Sequence, residues 1–144
     1  LLRPALLLSL FLAVPVLAAA RLDGLKLLVE PVHVAPTDVH VTVHLQNVAQ
    51  AQVLLDARPI WNADCGLTLT IQGPNGSPRL VPDEDEPCRA VKDSVAPGTS
   101  LAVSRTLKRS EWFPQPGRYF LRLRWKEPGK GTLEMERIEV VISQ

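Results

Sequence analysis

The feature that most constrains the fold is the alternation of side chains along residues 118–125. Apolar side chains occupy every second position and arginines occupy most of the positions between them, in the order R-Y-F-L-R-L-R-W. A period of two predicts a β-strand with one buried face. A Pro-Gly pair at 116–117 precedes this strand, and another at 97–98 precedes the strand before it. Because proline fixes φ and glycine accepts positive φ, both pairs predict turns between strands.

Similar signals recur along most of the chain. Short apolar alternations predict further strands at residues 25–34, 39–45, 51–57, 66–72, 79–81, 100–107 and 132–143. Turn residues separate them about every 8–12 positions, and the sequence has no helical period. The pattern predicts an all-β fold: an antiparallel two-sheet immunoglobulin-like sandwich of seven or eight strands, with a barrel as the alternative architecture.

Residues 1–20 predict a signal peptide rather than part of this domain. They contain one basic residue, Arg3, then an apolar run over residues 5–17 and three alanines. This is the order of a basic region, a hydrophobic region and small residues before a cleavage site. The apolar run of about 13 residues is shorter than the roughly 20 that span a bilayer, so cleavage is favoured over an uncleaved anchor. We therefore expect a periplasmic or secreted single domain of residues 21–144, without stable membrane insertion after cleavage.

The charge balance limits the classes of partner. The chain has 16 basic and 15 acidic residues, and Arg3 is the only charged residue before position 21, so residues 21–144 have a formal net charge of zero. Nucleic-acid binding depends on a basic excess that displaces counterions. We therefore expect no nucleic-acid partner.

The two cysteines, Cys65 and Cys88, predict a disulfide bond. Exported proteins form such bonds readily, and an even number of cysteines favours pairing. The long separation excludes the geometry of a C-x-x-C redox pair, and two thiols alone do not complete a zinc site. The bond is expected to stabilise the fold by about 3 kcal/mol through loop closure.

The order of these motifs resembles a known family. It runs V-T-V-H-L-Q-N, then L-T-L-T-I-Q-G-P-N-G, then V-A-P-G-T-S-L-A-V, then P-G-R-Y-F-L-R-L-R-W, within residues 39–125. This order resembles the immunoglobulin-like sandwiches of bacterial exported proteins, and among them is most similar to the Bacillus-type intracellular proteinase inhibitors. The resemblance implies the sandwich fold and protease inhibition as a possible activity. The signal peptide and the disulfide loop depart from an intracellular inhibitor, and no functional residue is carried over.

Metal and catalytic sites are not favoured. His40 and His44 are four positions apart on one strand, about 13 Å, so they cannot bind one ion together. His33, on a neighbouring strand, can approach only one of them. The acidic run at 83–86 has prolines at its ends and no glycine, unlike a calcium loop, and predicts an exposed acidic tip. We therefore expect no metal and no cofactor. The sequence also has no G-x-S-x-G motif, so we expect no enzymatic activity.

Loop aromatics are the first candidates for partner binding. Trp61, Trp112 and Phe113 lie outside the clean strand patterns. They are either anchors on a binding surface or plugs that close the ends of the sandwich. Tyr119, at the start of a strand, either turns its hydroxyl group back onto the loop backbone, as in a tyrosine corner, or leaves it in water.

A basic stripe on one strand supplies the other candidates. Phe120, Arg122 and Arg124 share the outward face with Arg118. The stripe either binds a ligand or forms cross-strand ion pairs with Glu134, Glu136 and Glu139.

These observations predict an exported, non-catalytic binding module that contacts a protein partner in the cell envelope. The favoured segments are residues 61–88 and residues 108–116, or an exposed sheet edge. One alternative is a protease inhibitor that presents the disulfide-bounded loop 66–87, held rigid to reduce the ordering cost of binding. Another is a carrier of a small ligand or metal. The sequence specifies neither the partner nor the oligomeric state.

Overall fold

The computed structural model describes residues 17–22, 24–55, 60–88, 93–127 and 131–144. Within them the chain forms β1 Leu17–Leu22, β2 Leu25–Val29, β3 His33–Val34, β4 Asp38–Asn47, β5 Val53–Leu55, β6 Leu67–Gln72, β7 Arg79–Leu80, β8 Asp93–Val95, β9 Ser100–Lys108, α1 Arg109–Trp112, β10 Gly117–Glu127 and β11 Gly131–Ile142. The predicted all-β class is confirmed. The described residues hold eleven strands rather than seven or eight. Strands β3 and β8 are too short to show a period of two, and most of β1 lies in the residues assigned to the signal peptide.

The first large sheet is built around β4, which has neighbours on both sides. Strands β2 and β3 run antiparallel along one side of β4, and β9 runs antiparallel along the other. Pro31 lies between β2 and β3. Because proline has no amide hydrogen to donate to the ladder, it separates the predicted strand at residues 25–34 into two.

The second large sheet has the strand order β11-β10-β6-β7, and its pairings are antiparallel. Strand β10, the segment with the clearest alternation, lies inside this sheet between β6 and β11. A third, small sheet pairs β5 with β8. Its Leu55 and Val95 form a separate cluster with Leu25.

The two large sheets pack face to face through the alternating apolar side chains. Val41 and Val43 of β4 and Leu121 and Leu123 of β10 are exposed by 1% or less and belong to one core cluster. Two antiparallel sheets that share an apolar core form a β-sandwich, the architecture of immunoglobulin-like domains. The predicted architecture is therefore confirmed.

A tyrosine corner and a buried asparagine organise loops of the sandwich. The hydroxyl group of Tyr119 makes hydrogen bonds with the backbone of Gln115, so the tyrosine-corner interpretation is confirmed. Asn47, at the end of β4, has no solvent exposure. Its Nδ2 donates to the carbonyl oxygens of Ala51 and Val95, both at 2.8 Å. A buried amide that is satisfied in this way fixes the turn that follows β4 to the third sheet.

The segment near the predicted cleavage site takes part in the first sheet. Strand β1, Leu17–Leu22, pairs antiparallel with β2, with Leu22 opposite Leu25. The last four residues of the predicted signal peptide therefore belong to a strand. Residues 1–16 lie outside the described residues, and cleavage after residue 20 stays a prediction. Among the described residues, no helix has the length and apolar character needed to cross a membrane.

The predicted disulfide bond between Cys65 and Cys88 is confirmed. Cys65 is buried and precedes β6, whereas Cys88 follows β7. The bond therefore joins the two ends of the segment that contains the β6-β7 hairpin.

Candidate functional site

The outward face of the second sheet carries an open groove of about 740 Å³. It lies over β6, β10 and β11 and is bordered by the turn of residues 73–78. We call it the arginine groove, and its lining includes Arg118, Arg122, Arg137, Phe120, Thr70 and Gln72. Phe120 and Arg122 were predicted as candidates, and Arg118 was part of the predicted stripe.

The registers of β6 and β10 bring the lining together. Phe120 pairs with Gln72, and Arg122 pairs with Thr70. Even-numbered residues of β10 point outward because the odd-numbered ones fill the core. Phe120 is consequently 40% exposed.

A β-bulge in β11 adds the third arginine to the groove. Leu121 pairs with Ile138 and Leu123 pairs with Met135, so β11 has one residue more than β10 over this interval. Inward side chains change from odd positions, such as Met135, to even positions, such as Ile138. The extra residue lets Arg137 lie exposed on the outward side, where bulges commonly redirect a side chain.

Arg137 adopts a backbone conformation that L-residues with side chains avoid. Its φ is +61°, and no other described residue except glycine has a positive φ. In this region the Cβ atom crowds the following carbonyl oxygen, which costs roughly 1–2 kcal/mol. The bulge therefore holds an arginine where glycine or asparagine would be less strained.

Two of the predicted cross-strand ion pairs are confirmed. The Nε atom of Arg118 lies 3.4 Å from Oε1 of Glu139, and that of Arg124 lies 3.2 Å from Oε1 of Glu134. All four side chains are largely exposed, so each pair contributes little to stability. Arg124 does not line the groove. The side chain of Glu136 is outside the described part of the structure.

Trp112 borders a second cavity rather than the arginine groove. It is half-buried, and the guanidinium carbon of Arg79 lies 4.6 Å from its ring centroid, a cation–π distance. Nη2 of Arg79 also donates to the carbonyl oxygen of Glu111 at 2.9 Å. The second cavity has a volume of about 420 Å³ and shares Gly73 and Pro74 with the arginine groove.

Trp61 and Phe113 are core residues in this structure rather than exposed anchors. Each is 2% exposed. Nε1 of Trp61 donates to the carbonyl oxygen of Ser104 at 3.0 Å, and Phe113 packs edge-on against Tyr119 with ring centroids 4.9 Å apart. A partner cannot reach these rings in the folded state. Of the two alternatives, Trp61 and Phe113 therefore fit the plugs that close the sandwich and not the binding anchors.

The inhibitor alternative treated the disulfide-bounded segment 66–87 as one rigidly held loop, but only part of this segment is a loop. Residues 66–87 contain β6, a core strand of the second sheet. Its exposed stretches are residues 74–80, in the hairpin, and residues 82–88, which include the acidic run. Asp83 accepts a hydrogen bond from the amide of Ala63 at 3.0 Å, and Oε1 of Glu84 lies 3.7 Å from Nε of Arg105.

The histidines take part in cross-strand contacts on the first sheet. His33 stacks on His40 with ring centroids 5.8 Å apart, and Nε2 of His44 lies 2.6 Å from a carboxylate oxygen of Glu30. His33 therefore approaches His40 and not His44, as predicted. Within the part of the chain that the structure describes, no three metal-binding side chains converge.

Sequence reasoning missed Arg137, Thr70 and Gln72 as lining residues. One signal for the bulge was present, because Glu134 and Glu139 were both expected to face outward. Two residues five positions apart cannot share a face of a regular strand. A one-residue slip in β11 was therefore detectable, although its backbone conformation was not.

No family model matches the chain, and no curated protein sequence matches it. Solved structures with a distant likeness include a β-glucosidase from Kluyveromyces marxianus in complex with glucose, at a TM-score of 0.40 and 12% identity, covering 79% of this chain and 14% of that chain. The selenomethionine-labelled form of that β-glucosidase matches at a TM-score of 0.41 and 12% identity, covering 80% of this chain and 14% of that chain. A likeness at this level carries no argument about activity.

Proposed function

We propose that this chain is an exported, non-catalytic binding module, periplasmic or secreted, that engages a protein partner through the arginine groove. The observation behind the proposal is the exposed ring of Phe120 among three arginines on the face of a packed sheet. Aromatic residues and arginine dominate the binding energy of protein interfaces. A sheet with a packed core also fixes the backbone positions of these residues before binding, which reduces the ordering cost.

The chemistry of the lining supports binding rather than catalysis. Among the described residues, the groove lining has hydroxyl, amide and guanidinium groups but no histidine, carboxylate or cysteine side chain. Acid–base and nucleophilic catalysis normally require such groups. The histidines lie on the first sheet, whose outward face is on the opposite side of the sandwich.

The proposal is tested by capturing the partner with matched surface variants. The tagged protein, Phe120→Ser and Val48→Ser would each be expressed in the source organism, crosslinked and purified. Val48 is a suitable control because it is 42% exposed, close to the 40% of Phe120, and is not in the groove lining. We expect a protein that is captured by the parent and by Val48→Ser and is lost with Phe120→Ser. Equal capture by all three forms would refute the role of the groove.

A loop-presenting protease inhibitor is the second candidate, and one observation favours it. The exposed residues 82–88 are fixed to Trp61 and Asn62 by hydrogen bonds. The amide of Glu84 donates to the carbonyl oxygen of Trp61 at 3.0 Å, and Nδ2 of Asn62 donates to that of Glu86 at 3.1 Å. An exposed segment with such restraints loses little entropy on binding. Inhibition assays against a panel of proteases test this candidate. The carrier alternative has no comparable support.

A further inference from the structure

We infer that the partner presents an extended, acidic peptide segment to the arginine groove, with an apolar side chain against Phe120. This inference rests on the proposed function and names the chemistry of the partner.

The charge of the lining selects the acidic character. Arg118, Arg122 and Arg137 all line the groove, and no carboxylate does so among the described residues. Guanidinium groups have five donors in a planar fork that matches the two oxygens of a carboxylate. The contact of Arg118 with Glu139 uses Nε at 3.4 Å, and the Arg118 side chain is 74% exposed. Its remaining donors can therefore reach a second carboxylate.

The strained bulge shows that the third arginine has a specific placement. In a regular strand an odd-numbered residue beyond Met135 would point into the core. The bulge and the positive φ of Arg137 bring its side chain to the groove instead. Backbone strain that surrounding structure maintains is concentrated at functional sites. Strain and charge are independent observations: the strain marks the placement of Arg137 as functional, and the charge favours a ligand with negative charge.

The shape of the groove selects a peptide among anionic ligands. Its volume of about 740 Å³ accommodates several residues rather than a single small anion. The polar side chains of Thr70 and Gln72 offer donors and acceptors along the floor, next to the apolar ring of Phe120. An extended peptide also presents backbone polar groups beside its side chains, so it can match both the polar floor and the apolar ring of the groove. The zero formal charge of residues 21–144 argues against a nucleic acid, whose binding requires a basic excess.

The test is an unbiased peptide selection on the full-length protein. A phage library of random peptides of roughly 12 residues, long enough to cross the groove as a strand, is selected against the immobilised protein. We expect enriched peptides to share aspartate or glutamate residues around an apolar side chain. Enrichment of neutral or basic peptides that require Phe120 would overturn the acidic chemistry and leave the binding module intact.

An enriched peptide, labelled with fluorescein, then locates the site by fluorescence anisotropy. We expect Arg137→Gly to weaken binding about three- to tenfold, since one charge-assisted contact is lost. The matched control is Arg124→Gln, which removes one charge from the same face outside the groove and should change affinity less than about twofold. Raising sodium chloride from about 50 to about 500 mM should weaken binding severalfold.

Three further results would contradict the inference. One is equal loss of affinity in Arg137→Gly and Arg124→Gln, which would indicate a diffuse charge effect. Another is displacement of the peptide from its site by a single-stranded oligonucleotide at lower concentration than unlabelled peptide, which would indicate a nucleic-acid site. A library without any enriched peptide also overturns the inference, and partner capture then decides the proposed function separately. Glycine tolerates the positive φ, so Arg137→Gly is expected to fold.

Discussion

The hydroxyl group of Tyr119 donates to the carbonyl oxygen of Gln115 at 2.8 Å and accepts from the amide of the same residue at 3.0 Å. One side chain at the start of β10 thus satisfies both backbone groups of a residue in the preceding loop. The same ring packs edge-on against the buried Phe113. The loop that leaves α1 is therefore attached to the core at two adjacent points.

We expect Tyr119→Phe to lower the free energy of unfolding by about 1–3 kcal/mol, because it leaves two backbone groups without their partner while keeping the ring. Urea unfolding followed by tryptophan fluorescence measures the change. Phe120→Ser is the control on the same strand, and because Phe120 is partly exposed it should cost less than Tyr119→Phe. An unchanged urea midpoint in Tyr119→Phe would show that the corner is not a stabilising contact.

We expect the double variant Cys65→Ala, Cys88→Ala to unfold with a free energy about 3 kcal/mol lower than the oxidised protein, since the bond restricts the unfolded chain. The single bond in the described structure closes the segment that contains β6 and β7. Urea unfolding with and without a reductant measures the effect. The double variant should be insensitive to the reductant, and a reductant effect of the same size in both proteins would argue against this origin.

We expect Arg137→Gly to be more stable than Arg137→Ala by about 1 kcal/mol, because glycine adopts the φ of +61° without the Cβ clash. Both variants lose the guanidinium group, so their difference isolates the backbone. Thermal unfolding of the two proteins measures it. If alanine proves equal to or better than glycine, the bulge does not hold residue 137 in the left-handed region in solution.

We expect Gly66→Ala to destabilise the domain by about 2–4 kcal/mol, because the added methyl group would collide with the carbonyl oxygen of Ile60. That oxygen already accepts a hydrogen bond from the amide of Leu67 at 2.8 Å. Gly76→Ala is the control, since a methyl group there meets nothing within 4 Å. Chemical unfolding of both variants should separate them, and similar stabilities would exclude close packing at residue 66.

The elements that the sequence predicted best are those with a local signal. The alternation in β4 and β10 identified their buried faces, because the burial of a strand residue follows from its parity. The Cys65–Cys88 bond followed from the number of cysteines in a chain expected to be exported. For Tyr119 the sequence left two alternatives, a tyrosine corner or a hydroxyl group in water. Only the structure decided between them, because the position of Gln115 depends on the path of a loop.

The candidate site was only partly accessible to sequence reasoning. Phe120 and Arg122 were found because they share the outward face of one strand. Arg137 was missed because its position depends on a bulge, which is defined by pairing with another strand. The sequence did not decide whether Trp61 and Phe113 lie at the surface or in the core, because their burial depends on how the ends of the sandwich close.

By itself the sequence determined the class of the fold, the buried faces of the long strands and the disulfide, because alternation and turn chemistry act over a few neighbouring residues. Only the tertiary structure decided which strands are neighbours, where β11 has its extra residue and which aromatics reach solvent. Those properties arise from contacts between segments that are distant in the chain. The arginine groove depends on such contacts, because its side chains come from three strands. The register between those strands cannot be read from the sequence of any one of them.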